Sequence, residues 1–236
     1  MTTPITWHEL ITGDVDAAVG FYTELLGLEL ETADTGDFRY HMLRKDGRTH
    51  SGFVKQELEG VPSHWYPYVL VADVDASAEK AKALGAQVYH GPVDVPGTLR
   101  FAALGDPQQA SFGLMQWGQE PPTGLFVWDE LHATDVRAAA GFYGELLGWT
   151  TAPFVEGYEM FNAAETNFGG LMQERSGSPV AFWLTYFGVE DTDGVAAKAM
   201  ELGAGVIVPP ESMEEIGRYA VLTDPTGAAF GIHQST

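Results

Sequence analysis

The sequence FYTELLGL at residues 21–28 returns as FYGELLGW at residues 142–149. Three further blocks recur in the same order: WHEL and WDEL (7–10 and 128–131), DVD and DTD (73–75 and 191–193), and LGDP and LTDP (104–107 and 222–225). Four blocks in one order indicate a tandem duplication. We therefore expect two domains, residues 1–119 and 123–236, joined by a stretch that contains Pro and Gly.

Each copy contains a shorter repeat of its own. Residues 5–12 alternate as a strand does, and Asp14 can cap a helix that ends at Gly27. The same order returns with a strand at 66–71 and a helix at 75–84. Further strand-like runs lie at 38–43, 51–56, 87–89, 99–104 and 110–116. The predicted fold class is α+β, with four βαβββ modules in two pairs. One helix per module covers one face of a mixed sheet, so the other face must curl or pack on a partner.

The composition excludes several classes of function. The chain has 236 residues, and 33 Asp and Glu against 12 Lys and Arg give a formal net charge of −21. Such a charge repels nucleic acid and anionic membranes and favours a neutral or cationic small-molecule ligand, although it can also serve solubility alone. The chain has no cysteine, which excludes disulfides and thiolate chemistry. No apolar run approaches a spanning helix and no signal peptide is visible, so we expect a cytoplasmic protein.

The order of strand, Asp-capped helix ending FYxELLG, second strand and helix, and an Asp-Pro turn before the last strand resembles the vicinal oxygen chelate superfamily. That superfamily holds glyoxalase I, extradiol dioxygenases, and fosfomycin and bleomycin resistance proteins. The resemblance covers nearly the whole chain in both copies. It implies two glyoxalase/bleomycin-resistance-like domains with curved sheets, but it leaves the function open because this fold hosts many chemistries.

The family's metal ligands have no counterpart at the matching positions. In metal-dependent members the resemblance implies His seven residues before each capping Asp and Glu seven residues after the Asp of the Asp-Pro turn. These positions hold Trp7, Tyr66 and Gly113 in the first copy and Trp128, Leu184 and Gly231 in the second. A remaining ligand position falls near 52–53 and 169–170. Divalent metals need imidazole or carboxylate here, so we predict no metal and no other cofactor.

The resemblance implies that one face of each sheet forms a ligand cup. The residues predicted to contact the ligand are Trp7, Glu9, Tyr66, Tyr68 and Met115 in the first copy, and Trp128, Glu130, Tyr186 and His233 in the second. Aromatic rings with a few polar groups suit a flat, partly apolar molecule, and the glutamates could bind an amine. Two alternatives stay open. The aromatic residues could be plain core, and the glutamates could instead pair with Arg100 or Arg218.

The sequence therefore leaves two classes of function. The first is a binding protein of the bleomycin-resistance type, without catalytic residues, which sequesters an aromatic or amphipathic ligand. It could act as a monomer, since the duplication supplies the pairing of domains. The second is a metal-independent isomerase or lyase with Glu9 or Glu130 as general base. A metal-dependent enzyme would need another site, such as His41, His50 and His64, which we predict to be solvated instead.

Overall fold

The computed structural model describes residues 4–34, 39–58, 60–118, 124–214 and 216–236. The predicted linker spans residues 119–124, and all of it except Gly124 lies outside these residues, so the predicted domain boundary stays a prediction. Within the described part of the chain, no helix is long and apolar enough to cross a membrane.

The first copy contains β1 (Ile5–Thr12), α1 (Val15–Leu26), β2 (Glu29–Asp34), β3 (Arg39–Lys45), β4 (Arg48–Lys55), β5 (His64–Leu70), α2 (Val74–Ala83), β6 (Gln87–Val95), β7 (Leu99–Gly105) and β8 (Ser111–Trp117). The second copy contains β9 (Phe126–Ala133), α3 (Val136–Leu147), β10 (Thr150–Val155), β11 (Tyr158–Ala163), β12 (Thr166–Gln173), β13 (Phe182–Gly188), α4 (Thr192–Glu201), β14 (Gly205–Met213), β15 (Gly217–Thr223) and β16 (Ala229–Ser235).

Each copy forms one eight-stranded sheet. The strand orders are β2-β3-β4-β1-β5-β8-β7-β6 and β10-β11-β12-β9-β13-β16-β15-β14. Strand β1 pairs with β4 in parallel and β5 with β8 in parallel, whereas β2–β3, β3–β4, β6–β7 and β7–β8 are antiparallel. The sheets are therefore mixed, and the prediction of an α+β fold with four βαβββ modules is confirmed.

Two local predictions needed correction. Strand β2 was not predicted, because its residues Glu29–Asp34 are almost all exposed and show no apolar alternation. Helix α2 begins at Val74 rather than at residue 75, because the side chain of Asp73 is the cap and accepts a hydrogen bond from the Ala76 amide at 2.9 Å. The prediction for α1 is confirmed, since Asp14 caps its start and Gly27, in the left-handed region at φ 64°, ends it.

The contacts of the chain define two compact units. The first unit comprises Met1–Trp7, Tyr66–Pro121 and Trp128–Leu184, and the second comprises His8–Trp65, Pro122–Val127 and Thr185–Thr236. Each unit thus combines modules from both copies. Each has its own apolar core beneath the helices, built around Phe112 and Tyr143 in the first unit and around Tyr22 and Phe230 in the second.

The core of each unit contains the tyrosine of the FYxELLG repeat. In the second unit, the buried Tyr22 hydroxyl donates to Asp224 at 3.0 Å and accepts from the Trp65 indole at 3.0 Å. Burial, and next the Asp224 carboxylate, raises the pKa of Tyr22 well above its ordinary value. The two repeated motifs, FYxELLG and the Asp-Pro turn, therefore meet through a buried hydrogen bond.

The first unit contains the equivalent tyrosine, aspartate and tryptophan in the same arrangement. The buried Tyr143 hydroxyl donates to Asp106 at 3.2 Å and accepts from the Trp183 indole at 3.2 Å. Burial raises the pKa of the Asp106 carboxyl, while hydrogen bonds from the Ala110 and Gln108 amides oppose that rise. In both units the tyrosine comes from one sequence copy and the aspartate from the other.

Candidate functional site

Four predicted site residues of the first copy lie in the first unit, and all four are buried: Trp7, Tyr66, Tyr68 and Met115. Trp7 contacts Trp117 edge to face, with ring centroids 5.6 Å apart. The Tyr66 hydroxyl donates to the Phe112 carbonyl at 2.6 Å and accepts from the Leu104 amide at 2.7 Å. Because this hydroxyl already bonds to the main chain of β7 and β8, Tyr66 has an evident structural role.

Two tyrosines lie across glycines of the neighbouring parallel strand. Tyr68 on β5 is paired with Gly113 on β8, and Tyr186 on β13 with Gly231 on β16. A Cβ atom added to either glycine would overlap the tyrosine ring. Gly113 and Gly231 are the positions at which the resemblance implies glutamate, so an aromatic ring fills the space of that side chain in both copies.

In the second unit, Glu9 has a partner on β3. Its Oε1 accepts a hydrogen bond from the Tyr40 hydroxyl at 2.5 Å. Gly52 is the register partner of Glu9, and a Cβ on Gly52 would overlap the Tyr40 hydroxyl. The Glu9–Tyr40 bond therefore needs a glycine at position 52.

The first unit contains the corresponding stretch of the second copy. Here the Trp128 indole donates to the Tyr158 hydroxyl at 2.8 Å, and that hydroxyl lies over Gly170. The Oε2 atom of Glu130 lies 3.2 Å from Nε2 of His132. The His132 ring stacks on Phe182 with centroids 4.7 Å apart and an interplanar angle of 14°. Strand β9 thus presents an indole, a carboxylate and an imidazole at alternate positions, which by strand geometry leave the same face.

The two remaining predicted residues lie in the second unit. Tyr186 is buried over Gly231, and His233 is partly buried. The Nε2 atom of His233 lies 3.1 Å from the carbonyl oxygen of Ile216. His233 therefore already has a main-chain partner on one ring nitrogen.

The alternative that Arg100 or Arg218 pairs with the glutamates is wrong. Arg100 contacts Asp75 at 2.6 Å and Asp94 at 2.9 Å, and Arg218 contacts Asp193 at 2.5 Å. Each arginine reaches the aspartate in the first turn of the neighbouring helix. The hydrogen bond from Arg100 lowers the pKa of Asp75, and the one from Arg218 lowers the pKa of Asp193.

The three histidines considered for a separate metal site have other partners. His41 Nδ1 lies 2.9 Å from the Thr32 hydroxyl, and His64 Nδ1 lies 2.9 Å from the Pro62 carbonyl. His50 is buried rather than solvated, and burial lowers its pKa. Among the described residues no group of three or more His, Asp or Glu side chains is placed to hold a metal ion.

A cavity of about 300 Å³ lies at the open end of the β7–β8 hairpin, opposite its turn, where β7 begins and β8 ends. Its lining residues are Asp94, Thr98, Leu99, Arg100, Gln116, Trp117 and Gly118. None of the nine predicted site residues lines it, but Trp7 contacts its wall through Trp117. The two charged side chains that line this cavity, Arg100 and Asp94, form an ion pair with each other at 2.9 Å.

Comparison with known proteins assigns the family. The model of the glyoxalase/bleomycin resistance protein/dioxygenase superfamily matches residues 5–112, and that of a glyoxalase-like domain matches residues 126–233. The putative glyoxylase CFP32 of Mycobacterium tuberculosis is 32% identical over 241 residues, covering 96% of this chain and 92% of that protein. The chain therefore belongs to the glyoxalase/bleomycin resistance protein/dioxygenase superfamily, as a tandem member.

Two further comparisons show the breadth of this family. The anthracycline biosynthesis protein DnrV of Streptomyces peucetius is 30% identical over 127 residues, covering 46% of each chain. The Mn(II)-bound glyoxalase from Novosphingobium aromaticivorans has the same fold, with a TM-score of 0.70 at 16% identity, covering 98% of this chain and 82% of that one.

The metal that such a fold holds in that glyoxalase does not fit the residues of this chain. The positions at which the family places imidazole carry Trp7 and Tyr66 in the first copy and Trp128 and Leu184 in the second. The carboxylate positions carry glycines, and tyrosine rings occupy the space in front of them.

Three residues that form hydrogen bonds with predicted site residues were not predicted from the sequence: Tyr40, Tyr158 and His132. A signal for the two tyrosines was present, because YHM at 40–42 returns as YEM at 158–160. A signal for His132 was also present, since the equivalent residue of the first copy is Ile11 and a polar residue replaces an apolar one only in the second copy.

Proposed function

We propose that this protein binds a flat aromatic or amphipathic small molecule without a metal, in the manner of the bleomycin-resistance type. The single observation that carries the proposal is the stretch of β9 where Trp128, Glu130 and His132 alternate. Trp128 is partly buried, and the Glu130 and His132 side chains are 11% and 17% exposed. A half-buried indole beside a hydrogen-bonded carboxylate offers a stacking surface and a polar anchor.

The charge and the comparisons support the class of ligand. A net charge of −21 disfavours an anionic ligand and favours a neutral or cationic one. One relative is named for anthracycline biosynthesis, and anthracyclines are planar fused-ring compounds. We also propose that the chain acts in the cytoplasm without nucleic acid or membrane partners, either as a monomer through the pairing of its own domains or as a homodimer.

The proposal is tested with two planar tricyclic probes, neutral 2-methoxyanthraquinone and cationic 9-aminoacridine. Binding to the full chain is measured by quenching of tryptophan fluorescence and by equilibrium dialysis. We expect saturable binding, weakened about tenfold or more by Trp128→Ala, because hot-spot aromatic residues contribute about 2 kcal/mol or more. The control is Trp117→Ala, which removes an indole elsewhere in the same unit.

The proposal that binding needs no metal has its own test. The tag-free protein is purified without chelators, soaked with manganese, nickel, zinc or iron and desalted, and bound metal is measured by elemental mass spectrometry. We expect a content near zero per chain. A content near one or two per chain, or failure of both probes to saturate, contradicts the proposal.

A metal-independent isomerase or lyase is the second candidate. The observation that favours it is the buried Glu130 carboxylate beside the His132 imidazole, a pair that can take a proton from a ligand and return it. Glu130→Gln separates the two functions once a ligand is known. Loss of turnover with affinity retained indicates an enzyme with a glutamate base, whereas loss of affinity alone indicates a binding protein.

A further inference from the structure

We infer that His132, oriented by Glu130, accepts a hydrogen bond from a phenolic or enolic hydroxyl of a flat, fused-ring ligand, and that this contact selects the ligand. The inference rests on the proposed function, because it names the ligand class of the site on β9. It makes His132 a ligand contact and Glu130 a positioning residue.

The Glu130–His132 bond determines which ring nitrogen is available. A carboxylate only accepts hydrogen bonds, so the neutral imidazole carries its proton on Nε2, which lies 3.2 Å from Glu130 Oε2. Nδ1 then has the lone pair. Within the described part of the chain, Nδ1 of His132 has no hydrogen-bond partner. The ring is 17% exposed, so a ligand can approach it.

The neighbouring rings hold the imidazole in one orientation. His132 stacks on Phe182 nearly face to face, at 14° and 4.7 Å. Stacking and the bond to Glu130 together restrict rotation about both side-chain torsions, so the acceptor nitrogen is presented before a ligand arrives. An acceptor fixed in advance loses little entropy on binding, which is how preorganised sites gain affinity.

The spacing along β9 indicates the size of the ligand. Trp128 and His132 are four residues apart on one strand, which corresponds to about 13 Å at 3.3 Å per residue. A molecule that stacks on Trp128 and donates to His132 must span most of that length. Three linearly fused six-membered rings with a hydroxyl at one end reach most of that length, whereas one or two rings fall well short of it.

The local charge favours a hydroxyl over an anionic group. Glu130 lies 3.2 Å from the imidazole, and the amide of Glu174 donates to the carbonyl of Ala133, the residue that follows His132. An anion would meet these carboxylates. A neutral hydroxyl carries a donor without charge, and it matches the lone pair of Nδ1.

The first copy lacks this arrangement. Ile11 stands at the position of His132, and His64 at the position of Phe182. Glu9 has the Tyr40 hydroxyl as a donor instead of an imidazole. The inference therefore assigns the hydroxyl contact to the second copy alone.

The test uses 2-hydroxyanthraquinone and its 2-methoxy ether, in which a methyl group replaces the hydroxyl proton and so removes the donor. Affinities for the full chain are measured by fluorescence quenching, and the visible absorption of the bound hydroxy compound is recorded as well. We expect the hydroxy compound to bind about tenfold more tightly than the ether. We also expect its absorption to move to longer wavelength, because a hydrogen bond to an imidazole draws the phenolic proton away from the ring.

Three variants sharpen the test. His132→Ile, which copies the first repeat, should reduce the preference to within about twofold and abolish the absorption shift. Glu130→Gln keeps an acceptor for Nε2 but removes the charge, so it should reduce the shift and the preference only in part. The control His41→Ile makes the same change on β3 and should leave both unchanged. If His132→Ile fails to fold, as judged by circular dichroism, His132→Phe replaces it, because an aromatic ring retains the stacking on Phe182.

The outcomes separate this inference from the proposed function. The hydroxyl contact is overturned if the wild type binds both probes with equal affinity. It is also overturned if the variant without His132 keeps the preference for the hydroxy compound. In either case the proposed binding of aromatic ligands stands. Binding of neither probe overturns both. A preference and an absorption shift that both disappear with His132 support both.

Discussion

The Trp-x-Glu stretch occurs once in each copy with different hydrogen bonds. In the first copy, Glu9 accepts from the Tyr40 hydroxyl. In the second, Tyr158 at the equivalent position accepts from Trp128, and Glu130 lies beside an imidazole. The order of strands is the same in the two copies, so these different hydrogen bonds arise from side chains on one face of the same sheet. Duplication has kept the packing of the fold and changed the polar contacts of the face that would bind a ligand.

The largest expected effect concerns the packing of a tyrosine ring over a glycine, which the structure shows in both copies. Gly113→Ala and Gly231→Ala each place a Cβ into the ring of Tyr68 or Tyr186. We expect each to lower the free energy of unfolding by about 1–3 kcal/mol or more, because an overfilled core must shift. Urea unfolding of the purified variants measures this.

A matched control lies in helix α3. A Cβ on Gly141 meets nothing within 4 Å, so Gly141→Ala should raise stability by up to about 1 kcal/mol, the helix propensity difference. An unchanged stability of both Gly113→Ala and Gly231→Ala would contradict the packing described for the two copies.

The next effect compares the two buried tyrosine–aspartate bonds. Tyr22→Phe and Tyr143→Phe each remove a donor from a buried carboxylate and an acceptor from a buried indole, at about 1–3 kcal/mol. Tyr143→Phe should cost more. Asp106 accepts from Gln108, Ala110 and Tyr143, whereas Asp224 also accepts from the Thr226 hydroxyl.

Thermal and urea unfolding measure this difference, with the half-exposed Tyr89 as the control. Tyr89→Phe should change the free energy of unfolding by less than about 0.5 kcal/mol. Equal costs for all three tyrosines would show that the two buried bonds contribute little to stability.

A smaller effect concerns the two glutamates as ligand anchors. We expect Glu130→Gln to weaken binding of 9-aminoacridine about tenfold and Glu9→Gln to weaken it less. Trp128, two residues before Glu130, is partly buried and can offer a ring face to the acridine, whereas Trp7, two residues before Glu9, is buried. Equilibrium dialysis at low ionic strength gives both affinities. A stronger effect at Glu9 would assign the cation to the first copy instead.

The smallest expected effect is a pH dependence of the free energy of unfolding that arises from two histidines of the first copy. Burial lowers the pKa of His50 and of His64 below 6.5. The folded state then binds fewer protons than the unfolded state, so the stability they contribute is present above about pH 6.5 and is lost as the pH falls toward the lowered values. The equivalent residues of the second copy are Phe168 and Phe182.

The double variant His50→Phe, His64→Phe therefore copies the second repeat and should flatten the stability profile below pH 6.5. Urea unfolding at pH 5.5 and 7.5 measures the slope, with His41→Phe as the control. A slope that stays the same in the double variant would assign the acid sensitivity to other groups.

The sequence predicted the fold well because its signals are local and occur twice. Asp14 and Gly27 begin and end α1 by capping, which depends on a few neighbouring residues. Strand β2 was missed because its exposed residues carry no apolar alternation. The nine predicted site residues remain predictions, although for Tyr66 and Tyr68 the structure gives packing roles that strand alternation does not reveal.

The sequence by itself determined the duplication, the α+β class, and the absence of imidazole or carboxylate at the matched metal-ligand positions, because repeats, caps and residue identities can be read along the chain. Only the tertiary structure decided which groups pair. Tyr22 meets Asp224, Tyr40 meets Glu9, and the arginines turn to Asp75 and Asp193 instead of the glutamates. Hydrogen bonds between residues distant in sequence depend on strand register and side-chain direction, and folding alone brings those together.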